Sequence, residues 1–331
     1  MAEFPKSLIE LVLAAQEEPE KHPYGNPTSW PAAKIHGFVN YVLEHLEQFA
    51  PKDQTKQQAL KEVQTAMNVL WPPTGEKYEL PKPKQIIARK LERPKGGPKE
   101  LIVDPNNTYK DTSYWNLWSH LGVFLGLLGP APPNSEVANF YAPMTAMWGW
   151  WCISLLEADK TSLSKFAMTQ CTWYRNPGKQ DEFLLGHSLG GHEPKAADRW
   201  EEKVQRARYN LIKDPFSLEE NEWSFECSPL TKANGASDTK FGNCAETYPF
   251  TTFFWKWELS PTQKEQLYGL ALRRDYFPPR PKDVAKITRN KFNIRMANQH
   301  MVPPCENCAE LIRLGQGDKL KFDPVVIPQT E

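Results

Sequence analysis

The chain has 331 residues with 40 Lys and Arg against 40 Asp and Glu, so no net charge draws it to polyanions or to an anionic membrane. Hydrophobic residues at 40% and aromatics at 12% exclude a disordered chain and allow two globular domains. Six irregularly spaced cysteines exclude a small disulfide-stapled module and fit a reducing compartment, while 30 prolines point to long ordered connections.

Glu3, Lys6 and Glu10 surround a short apolar run that lacks the apolar core and cleavage site of a secretory leader, so this start reads as that of a mature cytoplasmic protein, with the nucleus open as well. Leu8, Leu11, Val12 and Ala15 recur at helical spacing behind Ser7, which predicts a capped helix over 7–17. Further helices are predicted over 32–49, with Ile35, Val39, Val42, Leu43 and Leu46 on one stripe, and over 54–70. His36 and His45 fall in the second helix and read as ordinary core or surface residues.

From 71 to 105 the composition turns to Pro and Lys. Lys82, Lys84, Arg89, Lys90, Arg93, Lys95 and Lys99 outnumber Glu92 and Glu100, and the stretch reads as a connection across the surface. A nucleic-acid patch would want interleaved aromatics, and only Tyr78 is near. The runs 115–128 and 137–156 are almost free of charge, with Trp148, Trp150 and Trp151 in the second. Asn139, Pro143 and Gly149 interrupt that run, so buried helices of a large core are expected rather than a membrane span. Helix is expected to continue over 161–171.

Gly186-His187-Ser188-Leu189-Gly190 matches the G-x-S-x-G nucleophile elbow and resembles the lipase and esterase version of the α/β-hydrolases, with Asp238 or Asp283 and then His300 in that family's order. Only Phe183-Leu184-Leu185 offers the strand that must precede the serine, and Glu193-Pro194 interrupts the helix that must follow it. A serine hydrolase using Ser188 is therefore the alternative reading, beside a plain loop leading into a charged helix over 195–212. Downstream, 223–227 reads as a strand, Asn234-Gly235 as a turn, 260–273 as a helix and 320–327 as a last strand broken by Pro324.

The chemistry concentrates in Cys244-Ala245-Glu246 and Pro304-Cys305-Glu306-Asn307-Cys308. Three thiolates and one carboxylate are the inventory of a catalytic zinc site with an open fourth position. Cys305 and Cys308, three apart, face the same way on a first helical turn, and the helix N-terminus favours their thiolates. Pro303 and Pro304 suit the approach to that turn. Glu246, two residues beyond Cys244, is placed to reach a metal-activated water and move its proton. A closed four-cysteine structural site including Cys227 is the non-catalytic alternative.

These motifs resemble the signature of the zinc-dependent cytidine deaminase-like superfamily, in the variant with Cys for the first His. The resemblance covers about the last third of the chain. It implies Zn2+ held by Cys244, Cys305 and Cys308, Glu246 as proton shuttle, Ala245 as a substrate contact, and hydrolytic deamination of a cytosine-like base in a nucleoside, nucleotide or nucleic acid. It also implies a three-layer α/β/α domain with a mixed sheet, placed over 181–331. The helical spacings upstream predict a mainly α-helical region over 1–180 before it. Pro249, five residues after Cys244, predicts a short or kinked first motif helix.

Overall fold

The computed structural model describes residues 4–71, 89–92, 100–103, 108–109, 112–113, 116–156, 168–189, 200–220, 225, 240–277 and 292–326. Helix α1 (Leu8–Gln16) starts where the Ser7 hydroxyl accepts from Glu10 N–H. The predicted helix over 32–49 divides into α2 (Ala32–Glu44) and α3 (Leu46–Phe49), because His45 leaves helical geometry at φ −126° and ψ 38°. Helix α4 (Gln54–Leu70) is capped by Asp53, whose carboxylate accepts from Lys56 N–H.

Within the stretch read as a connection, β1 (Arg89–Glu92) pairs antiparallel with β2 (Glu100–Val103), and just beyond it β3 (Thr108–Tyr109) pairs antiparallel with β4 (Thr112–Ser113). The two apolar runs are helices, as expected. The first is α5 (Leu117–Leu127), capped by Asn116 Oδ1. The second opens with a π-turn at Val137–Tyr141 and continues as α6 (Ala142–Leu156). No helix among the described residues is long and apolar enough to cross a membrane.

The fold is mixed α/β around one four-stranded antiparallel sheet. Of the helix expected over 161–171, residues 161–167 lie outside the described residues and 168–171 belong instead to β5 (Met168–Tyr174), which pairs antiparallel with β6 (Glu182–His187). The domain boundary expected between 180 and 181 thus falls in the loop joining two paired strands. Helix α7 (Trp200–Lys213) follows β6, and α8 (Thr247–Phe250) leads into a π-helical turn at Thr251–Lys256.

The predicted helix over 260–273 is one turn, α9 (Pro261–Lys264), followed by β7 (Leu267–Arg273) on the other side of β5. The Ser260–Gln263 capping box starts that turn, but the apolar residues beyond it are taken by the sheet, a case of tertiary pairing overriding helical propensity. After α10 (Ile294–Asn298), the short β8 (Met301–Val302) pairs antiparallel with β7 and leads to α11 (Glu306–Leu314). The order is β6-β5-β7-β8 with every pairing antiparallel, so the expected mixed sheet is not what the described strands form. The predicted strand over 320–327 is a 3-10 turn at Lys319–Phe322, because Asp318 caps it by accepting from Leu320 N–H and Pro324 has no N–H for a ladder.

Alternation along the strands divides the core between the two faces of the sheet. Cys171, Trp173, Phe183, Leu185, Leu270 and Leu272 face the larger apolar cluster, which includes α1, α2, α4, α5 and α6. Tyr174, Leu184 and Leu267 face the smaller one, with Phe250, Phe254, Cys308, Leu311 and Ile312. The second face therefore carries both cysteine motifs.

Candidate metal centre

Cys244 and Glu246 occupy the turn that opens α8. The carbonyl of Cys244 accepts from Thr247 N–H at 3.3 Å and from the Thr247 hydroxyl at 2.9 Å, and Phe250 N–H donates to Glu246 O at 2.8 Å. Pro249 is the third residue of α8, where an N–H would have no intrahelical acceptor. The helix is short, as the proline predicts, and widens into the π-turn. Cys305 is the N-cap of α11 and Cys308 lies in its first turn, with Ala309 N–H donating to Cys305 O at 2.8 Å.

The two motifs converge. Cys244 Sγ lies 3.5 Å from Cys305 Sγ across 61 residues of sequence, and the sulfurs of Cys244, Cys305 and Cys308 all lie within 4.8 Å of one another. A tetrahedral ion with bonds of about 2.3 Å to sulfur sets its ligands about 3.8 Å apart, so the donor set fits a metal ion. Cys308 is buried, Cys244 half-buried and Cys305 exposed, which leaves the trio open on one side.

Glycines let neighbouring backbone press against this turn. Gly242 has φ +81°, and a Cβ there would stand 2.4 Å from Gln205 O and 2.6 Å from Tyr209 N on α7. A Cβ on Gly186, in β6, would stand 2.0 Å from Ala245 O. Leu189 N–H donates to Asn243 O at 3.0 Å, tying the strand end to the same loop. Ala245 is buried at 1% exposure.

The fully buried Arg208 of α7 donates from Nη2 to Cys244 O at 2.7 Å and to His187 O at 3.1 Å. Its sequence signal was available: Val204, Arg208 and Ile212 recur every four residues on the buried stripe of α7. The alternating charges over 195–212 predict a helix with one solvent-facing side, and Arg208 is the cation on its other, apolar side.

Without metal the thiols share protons. Hydrogen bonds from Cys244 and Cys308, with the N–H groups opening α11, hold the Cys305 thiol well below its usual range. The bond to Cys305 and then burial push Cys244 up, against the opposing bond from Cys308, and the bonds to Cys244 and Cys305, with burial, push Cys308 up. Burial and the neighbouring Cys305 charge push the Glu246 carboxyl up to about 7, against the opposing pull of the Cys308 thiol and Arg208. A carboxyl near neutrality holds and releases a proton with equal ease.

The Ser188 loop has a different geometry from an elbow. The Ser188 hydroxyl accepts from Met168 N–H at 2.9 Å, and Ser188 N–H donates to Met168 O at 3.0 Å, so the residue extends the β5–β6 pairing. His300 Nδ1 lies 3.0 Å from Asp275 Oδ1. Asp238, Asp283, Gly190 and Cys227 lie outside the described residues, as does most of the basic stretch over 71–105. His187, beside Ser188, is buried with Nε2 2.9 Å from Asn116 Oδ1 and 3.1 Å from Ser119 Oγ, on the opposite face of the sheet from the cysteines. No known family, curated protein or solved structure matches the chain.

Proposed function

We propose that the chain is a zinc-dependent hydrolytic deaminase acting on a cytosine-like base. The observation that carries this reading is the convergence of Cys244, Cys305 and Cys308 from two separate motifs, with Glu246 buried beside them. The placement of both motifs at helix starts, and of apolar clusters on both faces of the sheet, supports a three-layer deaminase-like arrangement. All-antiparallel pairing among the described strands is the departure from it.

Cys244, Cys305 and Cys308 are the residues that hold zinc. Zinc bound there supplies a Lewis acid that activates water for attack on the amino-bearing ring carbon. Glu246 would take one proton from that water on a carboxylate oxygen and deliver it to the ring nitrogen, then take the second from the hydroxyl added to the ring carbon and deliver it to the departing amine. The net reaction converts N=C–NH2 and H2O into HN–C=O and NH3. Buried Ala245 serves through its main chain, because its turn sets where Glu246 sits. Base-containing nucleosides, nucleotides or nucleic acids are the substrate class.

The test is ammonia release from a panel of cytidine, deoxycytidine, their monophosphates and cytosine-containing oligonucleotides by zinc-loaded protein. Release that disappears in Glu246→Ala while zinc stays bound is the expected result. Undiminished turnover in Glu246→Ala overturns the proton-shuttle role. Release that persists after chelation but stops on labelling of Ser188 by a fluorophosphonate selects the serine hydrolase instead.

A further inference from the structure

Arg208 is a fully buried cation. Among the described residues it forms no salt bridge, its Nη2 donates to the carbonyls of His187 and Cys244, and its Nε and Nη1 have no acceptor. Its Cζ lies 5.0 Å over the Tyr248 ring. A desolvated guanidinium satisfied by two carbonyls and a ring face is costly, by several kcal/mol, unless negative charge stands nearby. Its 2.7 Å bond to Cys244 O sets it against the cysteine cluster, and Tyr248, Cys244, Glu246 and Cys308 are groups that feel its charge. Three thiolates around a divalent ion leave one net negative charge, and an ionised Glu246 makes two. No other cation is paired with these groups among the described residues.

We propose that Arg208 is the counter-cation of the metal centre. Its charge offsets the negative charge of the loaded site, and its donation to Cys244 O anchors the turn that presents Cys244 and Glu246. It is a positioning residue that reaches no substrate. This rests on the cysteine cluster holding a metal and is independent of the reaction that follows.

The test measures zinc affinity by competition with a chromogenic chelator, and the thermal midpoint of the metal-free protein, for wild type, Arg208→Lys and Arg208→Gln. The expected losses in affinity are at least about tenfold for Arg208→Gln and no more than about threefold for Arg208→Lys, the scale typical of groups that support metal ligands. A merely structural arginine lowers the midpoint in both variants and leaves the affinity of the folded protein unchanged, which overturns the proposal. Arg208→Lys as weak as Arg208→Gln overturns it too, because the charge is then irrelevant. If Arg208→Gln does not fold, the uncharged Arg208→Met takes its place, with the same tenfold threshold. Wild-type protein that takes up no zinc overturns the metal reading itself, and this inference with it.

Discussion

Replacing Gly186 by alanine puts a methyl group where the zinc-motif turn now lies. The new Cβ would stand 2.0 Å from Ala245 O and 2.9 Å and 3.0 Å from the Pro249 ring, so even a tight 3.0 Å contact requires the Ala245 carbonyl to move by about 1 Å. Gly186 lies inside a paired strand, opposite Gln170, and cannot retreat without breaking that pairing. The obstacle is a backbone oxygen and a proline ring, neither of which can swing away. Overpacking of this kind costs about 1–3 kcal/mol. The displaced turn carries Cys244, and metal sites tolerate ligand displacements of only about 0.2 Å.

Zinc affinity in Gly186→Ala is therefore expected to fall by about 10–100-fold, as when ligand support is lost, together with a lower thermal midpoint. Chelator competition and thermal melting measure the two effects. Gly178→Ala is the control. It has φ +77° and nothing within 4 Å, so it should cost about 1–2 kcal/mol of backbone strain and leave zinc affinity unchanged. Wild-type affinity in Gly186→Ala, or an equal loss in Gly178→Ala, refutes the packing argument.

Three further outcomes are expected. Cys305→Ser should bind zinc at far below one equivalent per chain, whereas wild type binds about one, by elemental analysis of protein purified without chelator. Gly242→Ala should be unstable and zinc-poor, because its Cβ meets α7 backbone atoms at 2.4 Å and 2.6 Å; a soluble variant with normal zinc content contradicts this. Burial, and then the Arg208 charge, push His187 down from 6.5 to about 3. The unfolded chain therefore binds a proton below about pH 6.5 that the folded chain refuses, and stability falls with acidification from there to about pH 3, at roughly 1.4 kcal/mol per unit. Urea titrations between pH 6.5 and 4 should show a shallower slope for His187→Asn than for wild type; identical slopes sink the assignment.

The cluster itself was legible because metal ligands are constrained in type and in short-range spacing. Cys244, Glu246, Cys305 and Cys308 are visible as two motifs, and only their closeness required the fold. Helices with a one-sided apolar stripe or a clear cap, such as Leu8–Gln16 behind Ser7 and Gln54–Leu70 behind Asp53, were equally visible. The strands were not. Met168–Tyr174 is buried along nearly its whole length, so it lacks the period-two pattern of a half-exposed strand and reads as more apolar helix. Leu267–Arg273 lies just behind a genuine capping box at Ser260, and local sequence carries no sign that the helix stops after one turn. Gly186 and Gly242 act through contacts with residues far along the chain, which no local pattern reveals, whereas Arg208 stands on the apolar stripe of its helix and only its acceptors required the fold.

An ion held by the cysteine cluster would also act as a staple. Cys244 and Cys305 are 61 positions apart, and an ion bridging them closes a loop that contains the central-sheet strand β7. By the loop-entropy relation for covalent cross-links, closure of that length restricts the unfolded chain by about 4 kcal/mol. Without the ion, helix α11 would keep only its packing, and the segment from β7 onward would open to proteases more readily. Metal supply would then set how long each copy survives.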